Sequence, residues 1–313
     1  MKALSNNKRT SIQKEGWVYT ILSLPTIAYL ILFKFIPFLG NAIAFMDYKL
    51  LKGIWGSDWV GFAHFSRLFQ SEIFSNALMN TLRLNLFDLA VGFPFTIVLS
   101  LVLTQLKAKL RVHVQTLLYI PYFISWAALG GIIVQMLSPS MGVVAAVGKL
   151  FSVNYTDLPV LLGKESSWLF VYVLAGIWQY SGWGTIVYVS AIMNIDNTIY
   201  ESAQLDGASR FQQLWYMTLP MIAPVVIVMF LLKIAGVLST SFEQIYALSN
   251  PSVSNVADVL CTFEYRLGMQ SMQFSYATAI GLVESLLGIL FVLISRKLIS
   301  KIDGGGIDYA PQQ

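Results

Sequence analysis

The aromatic and amide side chains best suited to bind a small polar molecule cluster in one apolar stretch of the sequence. They are Trp178, Gln179, Tyr180 and Trp183. Aromatic faces pack against the apolar C–H faces of sugar rings, and an amide forms hydrogen bonds with their hydroxyl groups. The cluster therefore predicts a contact with carbohydrate, while simple packing of the rings against neighbouring helices remains an almost equal alternative.

An isolated cation, Lys233, lies within a second apolar stretch, residues 220–239. An ammonium group in mid-membrane costs about 3 kcal/mol on insertion scales, so we expect it to face the protein interior or a wet cavity. It would attract an acidic sugar such as a uronate; alternatively it pairs with Asp88, Glu284 or a partner subunit. Three further polar residues complete the predicted substrate pathway: Ser239, Ser241 and Glu243.

Two more ionisable residues, Arg83 and Asp88, lie five positions apart in an apolar stretch and predict a loose structural ion pair. No pattern of residues predicts catalysis or metal binding. The chain has a single cysteine and two histidines, which argues against a Cys/His metal site, and it lacks the G-x-x-x-x-G-K-[ST] loop that binds ATP phosphates. Energy for any driven process must therefore come from a partner.

The composition indicates a membrane protein. Of 313 residues, 56% are hydrophobic and only 12% are charged, with a mean hydropathy of +0.66, whereas soluble domains carry about a quarter charged residues. The basic residues are dispersed in short loops and form no basic face for nucleic acid. We predict one membrane domain over residues 1–313, with residues 1–15 as a cytosolic N-terminal segment.

Apolar runs of about 20 residues predict an all-α, polytopic membrane protein. Six transmembrane helices are expected, at about 17–45, 80–104, 115–137, 168–193, 220–239 and 276–299. With both termini in the cytosol, 11 of the 20 Lys and Arg residues fall on the cytosolic side and six on the outside. The positive-inside rule therefore places residues 194–220, here named the coupling loop, in the cytosol.

The coupling loop predicts two helices joined by a turn. Asp196 can cap a helix that begins near Asn197, and Glu201 lies in its first turns, where the helix dipole favours a carboxylate. Asp206 and Gly207 supply the turn that ends it. A second amphipathic stretch then leads to the membrane at Pro220.

The coupling loop resembles the EAA loop of permease subunits in binding-protein-dependent ABC importers, whose pattern is E-A-A, three residues, G, and later I-x-L-P. Glu201, Ala203, Gly207 and Pro220 stand at the matching positions, whereas Ser202 replaces the first Ala and Met217 the Ile. Other segments resemble the sugar-importing, polysaccharide-type branch of that family: 33–37, 44–45, 115–126 and 279–281.

The resemblance implies a type I importer fold and a multi-pass subunit of the bacterial inner membrane. Its partners would be a second, homologous permease, two copies of a cytosolic ATPase, an extracytoplasmic solute-binding protein, the carbohydrate and membrane lipid. This chain would be non-catalytic and bind no cofactor, with ATP and Mg on the ATPase subunits. The positions carried over to ATPase coupling are Glu201, Ser202, Ala203, Asp206, Gly207, Arg210, Leu219 and Pro220.

Similarity to the larger permease of the maltose importer places Gln179, Tyr180 and Trp183 on or beside solute-binding positions. We therefore expect inward transport of an oligosaccharide, with an acidic, uronate-containing solute of the alginate type as the option that Lys233 favours. The alternative is a self-sufficient secondary transporter or channel. The coupling loop argues against it, as does the lack of evident repeat-matched broken helices.

Overall fold

The computed structural model describes residues 19–151 and 158–302, and most of them are helical. The predicted cytosolic segment 1–15 lies outside the described residues. The helices are α1 Tyr19–Phe45, α2 Ala63–Phe69, α3 Glu72–Thr104, α4 Ala108–Phe123, α5 Trp126–Met136, α6 Val143–Leu150, α7 Glu165–Met193, α8 Asn197–Leu205, α9 Arg210–Ala235, α10 Phe242–Leu248, α11 Ser254–Ala257, α12 Leu260–Tyr265 and α13 Phe274–Ile302. A short antiparallel pair joins β1, Met46–Asp47, to β2, Asp58–Trp59.

Long apolar helices dominate the fold, as the composition predicts. Within the described ranges, α1, α3, α9 and α13 are each long and apolar enough to cross a membrane, and the bent pair α4–α5 makes a fifth candidate. Helix α7 has 29 residues, which is long enough to span, but it is not among the helices that pass on both length and apolarity. The predicted six spans therefore remain a prediction, with α7 as the sixth by length alone.

The expected boundaries of two spans are wrong. Helix α3 begins at Glu72, eight residues before the expected start at 80, because the Ser71 side chain caps it by accepting the Phe74 N–H. Helix α9 runs unbroken from Arg210 through Pro220 and ends at Ala235, not at 239. A π-turn at Leu214–Thr218 widens the helix just before the proline, which relieves the clash between its ring and the preceding turn.

The expected third span is broken. Helices α4 and α5 meet at an angle of 96°, where Pro121 lies in a terminal 3-10 turn and Ser125 caps the next helix. A glycine of α5 allows a close contact with another helix. A Cβ at Gly130 would lie 2.4 Å from the Ala247 Cβ, so only glycine allows α5 to approach α10 so closely.

Two hydrophobic clusters hold the helices together. One joins α5, α7 and α10 through Trp126, Trp168, Tyr172 and Ile245. The other joins α2, α3, α12 and α13, with members that include Leu68, Phe74, Phe263 and Ile280. Helix α3 also packs along α7, and α9 packs against α13. Helix α9 is thereby attached to the membrane core.

Candidate functional site: a membrane cavity and the coupling loop

The central cavity lies among α3, α7, α9 and α10 and has a volume of about 310 Å³. Four of the predicted pathway residues line it: Tyr180, Lys233, Ser239 and Ser241. Four others do not line it: Trp178, Gln179, Trp183 and Glu243. The sequence prediction therefore identified part of a real cavity and included four residues that lie elsewhere.

An ion pair crosses the central cavity. Lys233, in the last turn of α9 and not at mid-span as expected, pairs with Asp88 of α3. This confirms one of the pairings considered for Lys233. It also makes the expected Arg83–Asp88 pair wrong, because the aspartate is held by a residue of another helix. Asp88 opens a π-turn, Asp88–Gly92, an irregularity that often occurs at functional sites.

Further polar side chains extend the lining of the central cavity, and the sequence analysis missed them. They are Asn85, Tyr172 and Gln244. The Gln244 Nε2 donates to the Tyr172 carbonyl at 2.8 Å, which fixes the amide beside the cavity. Asn85 was detectable from the sequence, because it lies one helical turn before Asp88 on the same face of an apolar helix.

Gln179 is buried in the protein and is not open to the cavity. It is only 2% exposed, and its Nε2 donates to the Ile124 carbonyl at 2.8 Å, at the break between α4 and α5. Its Oε1 is the only buried side-chain polar atom without a hydrogen-bond partner among the described residues. The amide therefore closes a backbone gap at the helix break, where the carbonyl has no helical partner.

The aromatic residues around Gln179 are held by neighbours from α4 and α5. The Trp183 ring stacks on Tyr122 with a centroid distance of 4.6 Å, and the Trp126 Nε1 donates to the Tyr180 hydroxyl at 2.9 Å. Trp178 is half exposed and lies outside the cavity. Both sequence interpretations apply here, because Tyr180 lines the cavity while Trp183 packs against another ring.

Two pathway residues near α10 have other partners. The Ser239 Oγ donates to Glu284 Oε1 at 3.1 Å, which places that half-buried carboxylate next to the cavity wall. Ser241 caps α10 by accepting the Gln244 N–H at 3.4 Å. Glu243 lies exposed in the first turn of the same helix.

The coupling loop forms the helix-turn-helix that its sequence predicts. Asp196 caps α8 by accepting the Thr198 N–H at 2.9 Å, and this backbone hydrogen bond lowers the pKa of the Asp196 carboxyl. At the other end Gly207 has a φ of +81°, as expected. The Ala208 N–H donates to the Ala203 carbonyl and the Gly207 N–H to the Gln204 carbonyl, which is the pattern of a Schellman turn.

Side chains tie the two helices of the coupling loop together. The Tyr200 and Thr218 hydroxyls are 2.9 Å apart, and the Gln213 Nε2 donates to the Ala208 carbonyl at 3.0 Å. A capping box between Ser209 and Gln212 starts α9. The loop is therefore a rigid extension of α9, not a flexible connection.

The carried-over coupling residues take different positions in this unit. Ala203 is buried, whereas Glu201, Ser202, Asp206 and Arg210 are exposed. Leu219 and Pro220 lie inside α9, past the π-turn. A concavity of about 570 Å³ lies between the two helices, lined in part by Ser202, Ala203 and Asp206. Apolar side chains remain on the outside, with Leu205 90% and Phe211 73% exposed.

Comparison with known proteins identifies the family. Residues 1–303 match the family described as binding-protein-dependent transport system inner membrane component. The chain is 38% identical over 296 residues to the polygalacturonan/rhamnogalacturonan transport system permease protein YteP of Bacillus subtilis (strain 168), covering 94% of this chain and 91% of that protein. It is 34% identical over 299 residues to protein LplB of the same organism, covering 95% and 92%.

Solved structures agree with this assignment. A chain in the crystal structure of a bacterial ABC transporter involved in the import of the acidic polysaccharide alginate superposes with a TM-score of 0.83 at 36% identity, covering 95% of this chain and 99% of that chain. A second structure holds a bacterial alginate ABC transporter in complex with an alginate pentasaccharide-bound periplasmic protein, and it matches with a TM-score of 0.83 at 35% identity. This chain therefore belongs to the inner membrane components of binding-protein-dependent transport systems, the family that its EAA-like coupling loop predicted.

Proposed function

We propose that this chain is a permease subunit of an ATP-driven importer that moves an oligosaccharide inward across the bacterial inner membrane. A second, homologous permease would line the other half of the path, and two ATPase subunits would bind ATP and Mg. An extracytoplasmic binding protein would deliver the solute. Family membership favours this function over a self-sufficient transporter or channel.

The observation that carries the proposal is the continuity of α9. This helix begins in the coupling loop at Arg210 and ends at Ala235, two residues beyond Lys233 in the central cavity. Its 26 residues span about 39 Å at 1.5 Å per residue. A displacement of the loop by an ATPase would therefore reach the cavity through one rigid element.

The surface of the coupling loop supports an ATPase contact. Phe211 and Trp215 stack on each other with a centroid distance of 6.3 Å and remain 73% and 57% exposed. An exposed aromatic pair in the same loop as the exposed carboxylates of Glu201 and Asp206 resembles the centre of a protein interface, where large rings supply contact area. We propose that α8 and the first turns of α9 dock on the ATPase.

The central cavity supports a sugar as the solute. Amide and phenol groups from Asn85, Gln244 and Tyr180 line it, and such groups suit the hydroxyl edges of a sugar ring. Its volume is near the lower end of the range for small-molecule pockets. We therefore expect it to hold part of an oligosaccharide, with the remainder against the second permease.

An acidic oligosaccharide is the solute class that we favour. The relatives carry names that refer to polygalacturonan and to alginate, and both of these are polyuronates. Lys233 keeps 44% of its side chain exposed while it pairs with Asp88, so its ammonium group remains open to a uronate carboxylate. Asp88 would hold the lysine charged and in position between transport cycles.

A reconstituted complex tests the function. The chain would be coexpressed with the second permease and the ATPase, purified and placed in proteoliposomes with the binding protein. We expect copurification of the ATPase, ATP hydrolysis stimulated by binding protein loaded with an oligogalacturonide, and uptake that requires ATP. Uptake of the same sugar by this chain alone, without ATP, would contradict the proposal and support a self-sufficient transporter.

A further inference from the structure

A third concavity lies where the coupling loop meets the ends of the membrane helices, and of the residues assigned to ATPase coupling only Arg210 lines it. Its volume is about 490 Å³, and it is bounded by the end of α3, the first turn of α4, the end of α7, the helix α8 and the start of α9. Two cations line it, Arg111 of α4 and Arg210 of α9. We name it the arginine pocket.

The two arginines of this pocket form no ion pair with a carboxylate of residues 19–151 or 158–302. The ion pairs among the described residues join Lys49 to Asp47, Lys233 to Asp88 and Arg266 to Asp258. Among the residues that the structure describes, no acidic side chain lines the arginine pocket. The remaining polar groups there include the amides of Gln105, Asn197 and Gln204. Two like charges that line one concavity favour the binding of an anion there, because each guanidinium can donate paired hydrogen bonds to phosphate oxygens.

The position of the arginine pocket indicates the source of that anion. It lies at the ends of α3 and α7, which is the depth of lipid headgroups for helices that cross a membrane. Leu110 and Val112, on either side of Arg111, are 53% and 58% exposed. At that depth the acyl chains of a bound phospholipid can pack against these apolar side chains, which a free phosphate cannot do.

We propose that the arginine pocket binds the phosphate of an anionic phospholipid headgroup, with Arg111 and Arg210 as its ligands. Basic pockets between membrane helices are suited to such headgroups. The lipid would lie against the junction of α4, α8 and α9 and so hold the coupling loop at a fixed height relative to the membrane. The inference rests on the membrane placement of the chain and not on the identity of the solute.

Lipid retention by the purified complex tests the proposal. Native mass spectrometry would count bound lipid after exchange into equal amounts of phosphatidylglycerol and phosphatidylcholine. We expect preferential retention of phosphatidylglycerol and a drop in its apparent affinity of about fivefold in Arg111→Gln, the contribution expected of one basic residue near an anionic surface. Arg111→Lys should lose less, because it keeps the charge but not the planar fork.

Lys109→Gln is the matched control, because this residue lies on the same helix but does not line the pocket. It should retain phosphatidylglycerol as the unchanged protein does. Equal loss in Lys109→Gln and Arg111→Gln would overturn the site in favour of general surface attraction. The melting temperature of each variant separates loss of lipid from loss of folding, and Arg111→Lys provides the comparison if Arg111→Gln does not fold.

Two further arms separate the lipid from other anions. Millimolar inorganic phosphate that displaces all phosphatidylglycerol from the pocket would indicate a free-anion site and overturn the lipid assignment. Phosphatidylglycerol retention that is unaffected by removal of the ATPase supports the lipid assignment. If the ATPase instead shields Arg111 from solvent when no lipid is bound, the pocket would be assigned to an acidic side chain of that partner. ATP-dependent uptake, measured in parallel, reports on the proposed function separately.

Discussion

The charged groups of the central cavity differ from those of the coupling loop in whether they have partners within the chain. In the cavity Lys233 pairs with Asp88, and Ser239 donates to Glu284, so these charges have partners within the chain. In the coupling loop the exposed Glu201 has no ion-pair partner among the described residues. The difference follows from solvent, because an unpaired charge is costly in a membrane but is well hydrated outside it.

This comparison indicates that the charged groups of the cavity have their partners within the chain, whereas the outer surface of the coupling loop is left for a partner protein. The cavity groups constrain one another, so changes there should disturb the local structure before they alter solute binding. The loop is internally rigid, through its Schellman turn and the contact between Tyr200 and Thr218. Its outward-facing side chains do not hold the loop together, so changes there should alter contact with a partner and leave folding intact.

Among the variants that test this comparison, the largest effect is expected at Gly207. The residue has a φ of +81°, and the space that a Cβ would occupy is open, so aspartate, which tolerates a positive φ as asparagine does, would fit there and would add a negative charge to the face proposed to meet the ATPase. In Gly207→Asp we expect uptake to fall more than about tenfold, as expected for loss of about 1.4 kcal/mol of coupling, while the complex still assembles. Uptake and ATP hydrolysis in proteoliposomes are the measurements.

Gly207→Asn is the matched control for that variant. Asparagine tolerates the left-handed conformation and carries no charge, so this variant should keep most of the uptake. Full stimulation of ATP hydrolysis by the loaded binding protein in Gly207→Asp would show that the turn does not transmit the signal.

A smaller effect is expected from the ion pair in the central cavity. Lys233→Met leaves Asp88 unpaired, so we expect the melting temperature of the complex to fall and the uptake KM for an oligogalacturonide to rise about tenfold. The double variant Lys233→Met/Asp88→Asn should regain the melting temperature, because no unpaired charge remains. Its KM should stay high, because the cation for the uronate is gone.

Two outcomes would break this account of the pair. An unchanged KM in Lys233→Met would remove the lysine from solute recognition. A double variant that melts no higher than Lys233→Met would show that the pair carries no mutual stabilisation.

The smallest effect is expected at Gln179. Gln179→Leu removes the hydrogen bond to the Ile124 carbonyl, and we expect a loss of about 1–2 kcal/mol in the free energy of unfolding, with the KM unchanged. Tyr180→Phe is the companion variant, since Tyr180 lines the cavity and should alter the KM. A raised KM without a lower melting temperature in Gln179→Leu would restore this residue to the solute path.

Local signals in the sequence predicted the coupling loop well. The start of α8 at Asn197 and the positive φ of Gly207 both depend on neighbouring residues in the chain. The course of α9 through Pro220 was not predictable in the same way. Proline suggests the start of a helix, and only the π-turn before it lets the helix continue.

The membrane site was less predictable because it depends on distant contacts. Lys233 and Asp88 meet across two helices, and the sequence shows only that each needs a partner. Pro121 signals an irregular helix, but the 96° angle between α4 and α5 depends on how they pack around Gln179. Periodicity likewise marks an apolar helix without showing which face lines a cavity.

Site-directed cross-linking tests most directly the claim that the coupling loop is the face that meets the ATPase. With Cys261 replaced by Ser, a single cysteine at Ser202 or at Ser239 would carry a maleimide-linked photoactivatable probe in the assembled complex. We predict a cross-link to the ATPase from the loop position and none from the cavity position. An active complex in which Ser202→Cys gives no ATPase cross-link, or no more than Ser239→Cys, would contradict the account.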